Sequence, residues 1–142
     1  MLPVLASKQR VLARSSSRTP WHRGDIVVFR NPVLRDRIYL KRIIGLPDEE
    51  LRLQGDLIWV NGSRLEEPYI ASVPSGIVDA QETLAEREWW LGADEFFLLS
   101  DNRLEGKDDS RAFGPVHRQL ILGQVWFRYW PLRHWGILSR SG

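Results

Sequence analysis

The chain has 142 residues, of which 43% are apolar and 27% charged, the composition of a water-soluble globular protein with enough residues for a real core. Its 20 basic and 18 acidic residues leave a net charge of +2. With no basic cluster alternating with aromatics, a nucleic-acid partner is not expected. There is no cysteine, so disulfides and thiolate chemistry are excluded. No run reaches the ~18 apolar residues of a membrane span.

Met1 to Ala6 is too short for a secretory signal and lacks a basic leader, so the 142 residues are expected to be soluble. Residues 6 to 24 are polar and basic, with a short strand at Arg10 to Ala13. Gly24-Asp25 turns the chain into a strand at Ile26 to Phe29, which Asn31-Pro32 closes. A second strand covers Tyr39 to Ile44 and stops at Gly45-Leu46-Pro47. Glu50 to Leu53 and Leu57 to Val60 form two strands about Gly55-Asp56. Asn61-Gly62 then carries the strongest hairpin signal in the sequence. From Glu66 to Asp94 the pattern weakens, and we read this stretch as an excursion with a short helix over Asp79 to Arg87. Glu95 to Leu99 is a buried strand, Ser100 to Pro115 a long polar loop, and Val116 to Leu120 a single helical turn. A last strand over Gln124 to Trp130 stops at Pro131. The expected fold is mainly β, one domain over residues 1–142, with at most one or two short helices.

The Tyr39 to Ile44 strand holds the chemistry. Alternation places Tyr39, Lys41 and Ile43 on one face and Leu40, Arg42 and Ile44 on the other. A lysine between an aromatic and a β-branched residue is costly unless its amine is neutral or paired. A neutral amine is a competent general base. Of the 20 basic residues only Lys8, Lys41 and Lys107 are lysine, and arginine could not lose its proton in that place. The competing reading is a lysine that snorkels to water from a half-exposed strand.

Three other arrangements compete for a role. The loop from Asp101 to Arg111 looks like a calcium loop, but its third position is Arg103, which only donates, so no metal is expected. A hydrogen-bonding hub fits better, with Asp108 or Asp109 meeting an arginine bidentately. A Ser-His-Asp triad is disfavoured, because His22, His117 and His134 lie in polar or aromatic terminal contexts and no G-x-S-x-G elbow is present. Trp126, Trp130 and Trp135, interleaved with Arg128 and Arg133, either cover the sheet or rest on a membrane interface.

In order along the chain, Arg23-Gly24-Asp25-Ile26-Val27-Val28-Phe29, Tyr39-Leu40-Lys41-Arg42-Ile43-Ile44-Gly45-Leu46-Pro47, Val60-Asn61-Gly62, Glu67-Pro68-Tyr69-Ile70, Asp101-Asn102-Arg103 and Asp109-Ser110-Arg111 resemble the type I signal peptidases. These are bacterial membrane-bound Ser/Lys endopeptidases that remove secretory signal peptides. The resemblance implies two antiparallel sheets, no cofactor, and a site on the outer face of the cytoplasmic membrane. It implies that Lys41 is the general base, that Asp109, Ser110 and Arg111 support its strand, and that Asp101 and Asn102 belong to the same support. Met1, Pro3, Val28, Phe29, Tyr39 and Leu40 would meet an extended preprotein substrate.

The family's nucleophile box reads Ser-Met-x-Pro-Thr-Leu, and this chain opens Met1-Leu2-Pro3-Val4-Leu5. Aligned on Met and Pro, the serine falls directly before Met1, so the 142 residues are expected to be inactive alone. A non-catalytic peptide-binding relative and a dedicated maturation peptidase are the alternatives. Lys107 stands where the family usually has a serine bonded to the lysine, and Ser100 where glycine is usual.

Overall fold

The computed structural model describes residues 10–14, 20–68, 70, 86–103, 108–130, 136 and 137. Two antiparallel sheets make up the fold. The larger is ordered β1 (Arg10–Arg14), β10 (Ile121–Trp130), β2 (Ile26–Arg30), β3 (Ile38–Gly45), β8 (Glu95–Leu99) and β9 (Val116–His117), with β11 (Gly136–Ile137) also paired to β10. The smaller is ordered β6 (Ser63–Arg64), β5 (Leu57–Val60), β4 (Glu50–Gln54) and β7 (Glu86–Trp90).

The strands follow residue chemistry closely. Asn61 and Gly62 both adopt positive φ, 49° and 78°, which two-residue turns of this hand need to match strand twist. They bring Ser63 opposite Val60. Strands β3 and β8 are apolar on both sides, and the pleat divides their side chains between two cores. Ile43, Phe96 and Leu98 join Trp21, Val27, Phe29, Val116 and Ile121 on one face. Ile44, Phe97 and Leu99 join Leu51, Leu53, Ile58, Val60 and Leu91 on the other. The second cluster is the layer where the small sheet packs on the large one.

Gly45 is where the layers come closest. A Cβ there would lie 2.4 Å from Leu51 Cδ1, 2.7 Å from Leu91 Cδ1 and 2.9 Å from Phe97 Cβ. We expect Gly45→Ala to cost about 1–3 kcal/mol by overpacking, read as a lower urea midpoint with an unchanged slope. An unchanged midpoint would mean that the sheets separate freely at this corner.

Four expectations need correction. Residues 86 and 87 are not helical: they open strand β7, inside the stretch read as an excursion, while 79–85 lie outside the described residues. Pairing with β4 (Glu50↔Trp90 through Gln54↔Glu86) supplies the hydrogen bonds that local sequence does not announce. The loop after β8 contains a helical turn, α1 (Ser110–Phe113), capped by the Asp109 side chain, which accepts from the Arg111 N–H. Finally, Val116 and His117 are a short strand, and only Arg118–Leu120 is helical, as a 3₁₀ turn. The last long strand also starts earlier than expected, at Ile121.

Candidate active site

Strand β3 carries Lys41 toward the first core. It pairs with β2 from Ile26↔Arg42 to Arg30↔Ile38, so Lys41 lies opposite Val27 and Tyr39 opposite Phe29. Its other neighbour, β8, pairs only with Arg42, Ile43 and Gly45. Among the described residues, the β8-facing edge of Ile38 to Lys41 has no strand against it.

The Lys41 side chain is buried, with 9% of the residue exposed. Its Nζ lies 5.9 Å from the centre of the Tyr39 ring, at the outer limit of a cation–π contact. Burial pushes the amine below its ordinary value of 10.5. Asp109 and Asp108 pull it back up, Arg111 lowers it, and Asp101 raises it. Desolvation is the largest of these effects, and Asp109, the carboxylate that opposes it most, is already engaged by other donors. Asp109, fully buried, takes Arg111 bidentately at 3.0 Å (Nε to Oδ1) and 2.9 Å (Nη2 to Oδ2). The same carboxylate also accepts the backbone N–H groups of Ser100 and Arg111, each at 3.1 Å.

The loop residues therefore support the lysine strand through its neighbour. Ser110 Oγ accepts the Leu98 N–H at 2.9 Å and Asp109 holds Ser100, so both grip β8 and its exit. Strand β8 in turn carries β3. Arg111 also donates to the Arg103 carbonyl, at 3.1 Å. Arg103 reaches the Ser100 carbonyl at 2.9 Å and pairs with Glu67. Asn102 is half-buried in the turn after Asp101.

One partner was not identified from sequence. On the face opposite Lys41, Arg42 donates from Nε and Nη2 to the two oxygens of Asp101, both at 2.9 Å, and from Nη1 to the Gly24 carbonyl at 2.8 Å. The two side chains are 2% and 1% exposed. An arginine on a buried strand demands a carboxylate, and that was the available signal. Which carboxylate, 59 residues away, was not.

The remaining candidates divide by face. Phe29 is fully buried in the first core, its ring 6.3 Å from that of half-buried Tyr39. Val28 pairs with Leu40 on the opposite face, and both are half-buried. Met1, Pro3, Lys107 and Trp135 lie outside the described residues, as does the side chain of Trp130; Trp126 is exposed on β10. Among the described residues no three His, Asp or Glu side chains are grouped as a metal would need, and no helix is long and apolar enough to cross a membrane.

Known proteins are similar to this chain in sequence and in fold. The family profile described as signal peptidase, peptidase S26, matches residues 1–130. A signal peptidase I of Leptolyngbya laminosa is 36% identical over 152 residues, covering 98% of this chain and 68% of that protein. A signal peptidase I of Bacillus caldolyticus is 34% identical over 147 residues, covering 96% of this chain and 78% of that one. A crystal structure of a signal peptidase I from Enterococcus faecalis V583 superposes with a TM-score of 0.63 at 30% identity, over 77% of this chain and 98% of that one. Matched in both sequence and fold, with a buried lysine at a strand edge, this chain belongs to the signal peptidase family, peptidase S26.

Proposed function

We propose that this chain is the catalytic domain of a Ser/Lys endopeptidase that removes N-terminal signal peptides from exported proteins, with Lys41 as its general base. The observation that carries this reading is the buried Lys41, its amine pushed below 10.5 by burial, at the end of an open strand edge. An extended peptide added along Ile38 to Lys41 would find backbone partners there. Its alternate side chains would face Tyr39, backed by Phe29, and Leu40, paired with Val28. The site would lie at the outer surface of a bacterial cytoplasmic membrane, with Trp126 as one contact.

The nucleophile in this reading is a serine directly before Met1. Neutral Lys41 takes the hydroxyl proton as the serine oxygen attacks the scissile carbonyl carbon. The resulting ammonium gives that proton to the leaving amine, which frees the mature protein and leaves the signal peptide as a serine ester. Lys41 then takes a proton from water, whose oxygen attacks the ester carbonyl, and the ammonium returns that proton to the departing serine oxygen, which releases the peptide as a carboxylic acid and restores the serine and the neutral amine. Asp109, Ser110, Arg111, Asp101 and Arg42 are positioning residues in this scheme.

The test is a chain extended by a short leader ending in Ser, assayed on a signal peptide with an Ala-x-Ala cleavage site. We expect cleavage at least about 100-fold above that of the 142-residue chain. If the extended chain binds the peptide and leaves it intact, the protein is a peptide-binding relative and the enzyme reading fails.

A further inference from the structure

Glu67 follows the small sheet and has no part in the peptidase scheme above. Two backbone bonds fix its place: Leu65 N–H donates to the Ile58 carbonyl at 2.8 Å, and Ile70 N–H to the Glu67 carbonyl at 3.1 Å. Leu65 also packs on the second core. From there the Glu67 carboxylate pairs with Arg103, 36 residues away in the loop after β8. The two side chains are 8% and 2% exposed. A buried pair of this kind gives little net stability, because desolvation offsets the attraction. What it does supply is a fixed position.

Arg103 is one link in a closed ring around Asp109. Ser100 N–H donates to Asp109 Oδ2 at 3.1 Å, and the Ser100 carbonyl accepts Arg103 Nε at 2.9 Å. The Arg103 carbonyl accepts Arg111 Nη1 at 3.1 Å, and Arg111 returns to Asp109 through Nε and Nη2. Glu67 ties that ring to the small sheet. We propose that Glu67 and Arg103 are positioning residues for Lys41, a role that rests on the reading of Lys41 as the general base: their ion pair anchors the ring, which keeps Asp109 and the end of β8 closed against the lysine strand. Burial is the largest influence on the Lys41 amine, ahead of Asp109, Asp108, Arg111 and Asp101. A loosened ring admits water, and hydration favours the charged amine.

Glu67→Gln keeps the size of the side chain and an acceptor oxygen but leaves Arg103 without its buried counter-charge. The 142-residue chain has three lysines, and ¹³C NMR can titrate their Cε signals, with that of Lys41 identified by its loss in Lys41→Met. In Glu67→Gln the Lys41 amine should titrate closer to 10.5 than in wild type. In the serine-extended chain the same substitution should lower kcat about 10–100-fold, the scale of a small misplacement, with KM little changed. Glu67→Leu with Arg103→Met buries no charge and should regain wild-type stability, yet keep the altered titration, because the Ser100 carbonyl has lost its donor. This double variant carries the test if Glu67→Gln does not fold. A wild-type Lys41 titration in folded Glu67→Gln, or in the double variant, would make the pair purely structural and overturn the proposal. Cleavage by the serine-extended wild type is scored separately: if it fails while the Lys41 titration still shifts, the peptidase reading falls and the positioning of Lys41 stands.

Discussion

In the serine-extended chain, Lys41→Met should lower kcat/KM on a signal peptide by about 10²–10⁴-fold, the range lost with a general base, while KM moves little. Methionine keeps the length and apolar stem of lysine and removes only the amine, so an extended peptide held by backbone hydrogen bonds should still bind. The pH profile should agree. Activity needs the neutral amine, so wild-type kcat/KM should rise with pH along a single limb centred below 10.5, because burial pushes the Lys41 amine down. The exposed Asp108 raises that value, so Asp108→Asn should move the limb to lower pH. Equal cleavage by the Met variant would remove Lys41 from the mechanism.

The same substitution should stabilise the fold. The unfolded amine titrates at 10.5 and the folded one lower. Between those values the unfolded chain binds the proton that the folded chain has released, so wild-type stability climbs with pH. Below that window the folded protein carries a desolvated charge and bears its full cost. The methionine variant carries no such charge. It should therefore melt higher than wild type at pH 7, with the gap closing as pH approaches 10.5. A variant that melts lower at pH 7 would show that the amine is well solvated in the folded state.

The second large effect concerns Arg42 and Asp101. Asp101→Ala should cost about 3–5 kcal/mol, because it leaves a guanidinium buried without its carboxylate. The loss is out of proportion to an ordinary surface ion pair, worth about 0–1 kcal/mol, since these side chains are 2% and 1% exposed. Replacing both together, Arg42→Met with Asp101→Leu, should recover most of the loss, because apolar packing avoids the desolvation that the pair must offset. Urea unfolding of the three variants measures this. If Asp101→Ala costs under about 0.5 kcal/mol, the level of an unimportant surface change, water reaches the pair and the argument fails. In the serine-extended form, Asp101→Ala should also reduce cleavage, since the pair ties β3, through the Gly24 carbonyl, to the turn that starts β2.

Much of this architecture can be read from residue order. Ile26 to Phe29, Tyr39 to Ile44, Glu50 to Leu53 and Leu57 to Val60 alternate or run apolar between turn residues, and each is a strand. Asn61-Gly62 dictates its own turn by tolerating positive φ at both positions. Glu86 to Trp90 could not be read that way. Its Glu-Arg-Glu-Trp-Trp sequence does not alternate polar with apolar, and Glu86, Glu88 and Trp90 are exposed. Only β4 beside it makes it extended. The helical turn at Ser110 was likewise hidden, because Asp109 had to be read at once as a cap, as the partner of Arg111 and as the acceptor for Ser100.

Residue order was therefore enough for these strand identities and for the hairpin at Asn61, because backbone propensity acts over a few residues. It took the folded chain to show that Lys41 is buried, that Asp101 answers Arg42 while Asp109 answers Arg111, and that β8 leaves the Ile38 to Lys41 edge open. Those outcomes depend on which distant segments exclude water and complete each other's hydrogen bonds, and no local pattern encodes that.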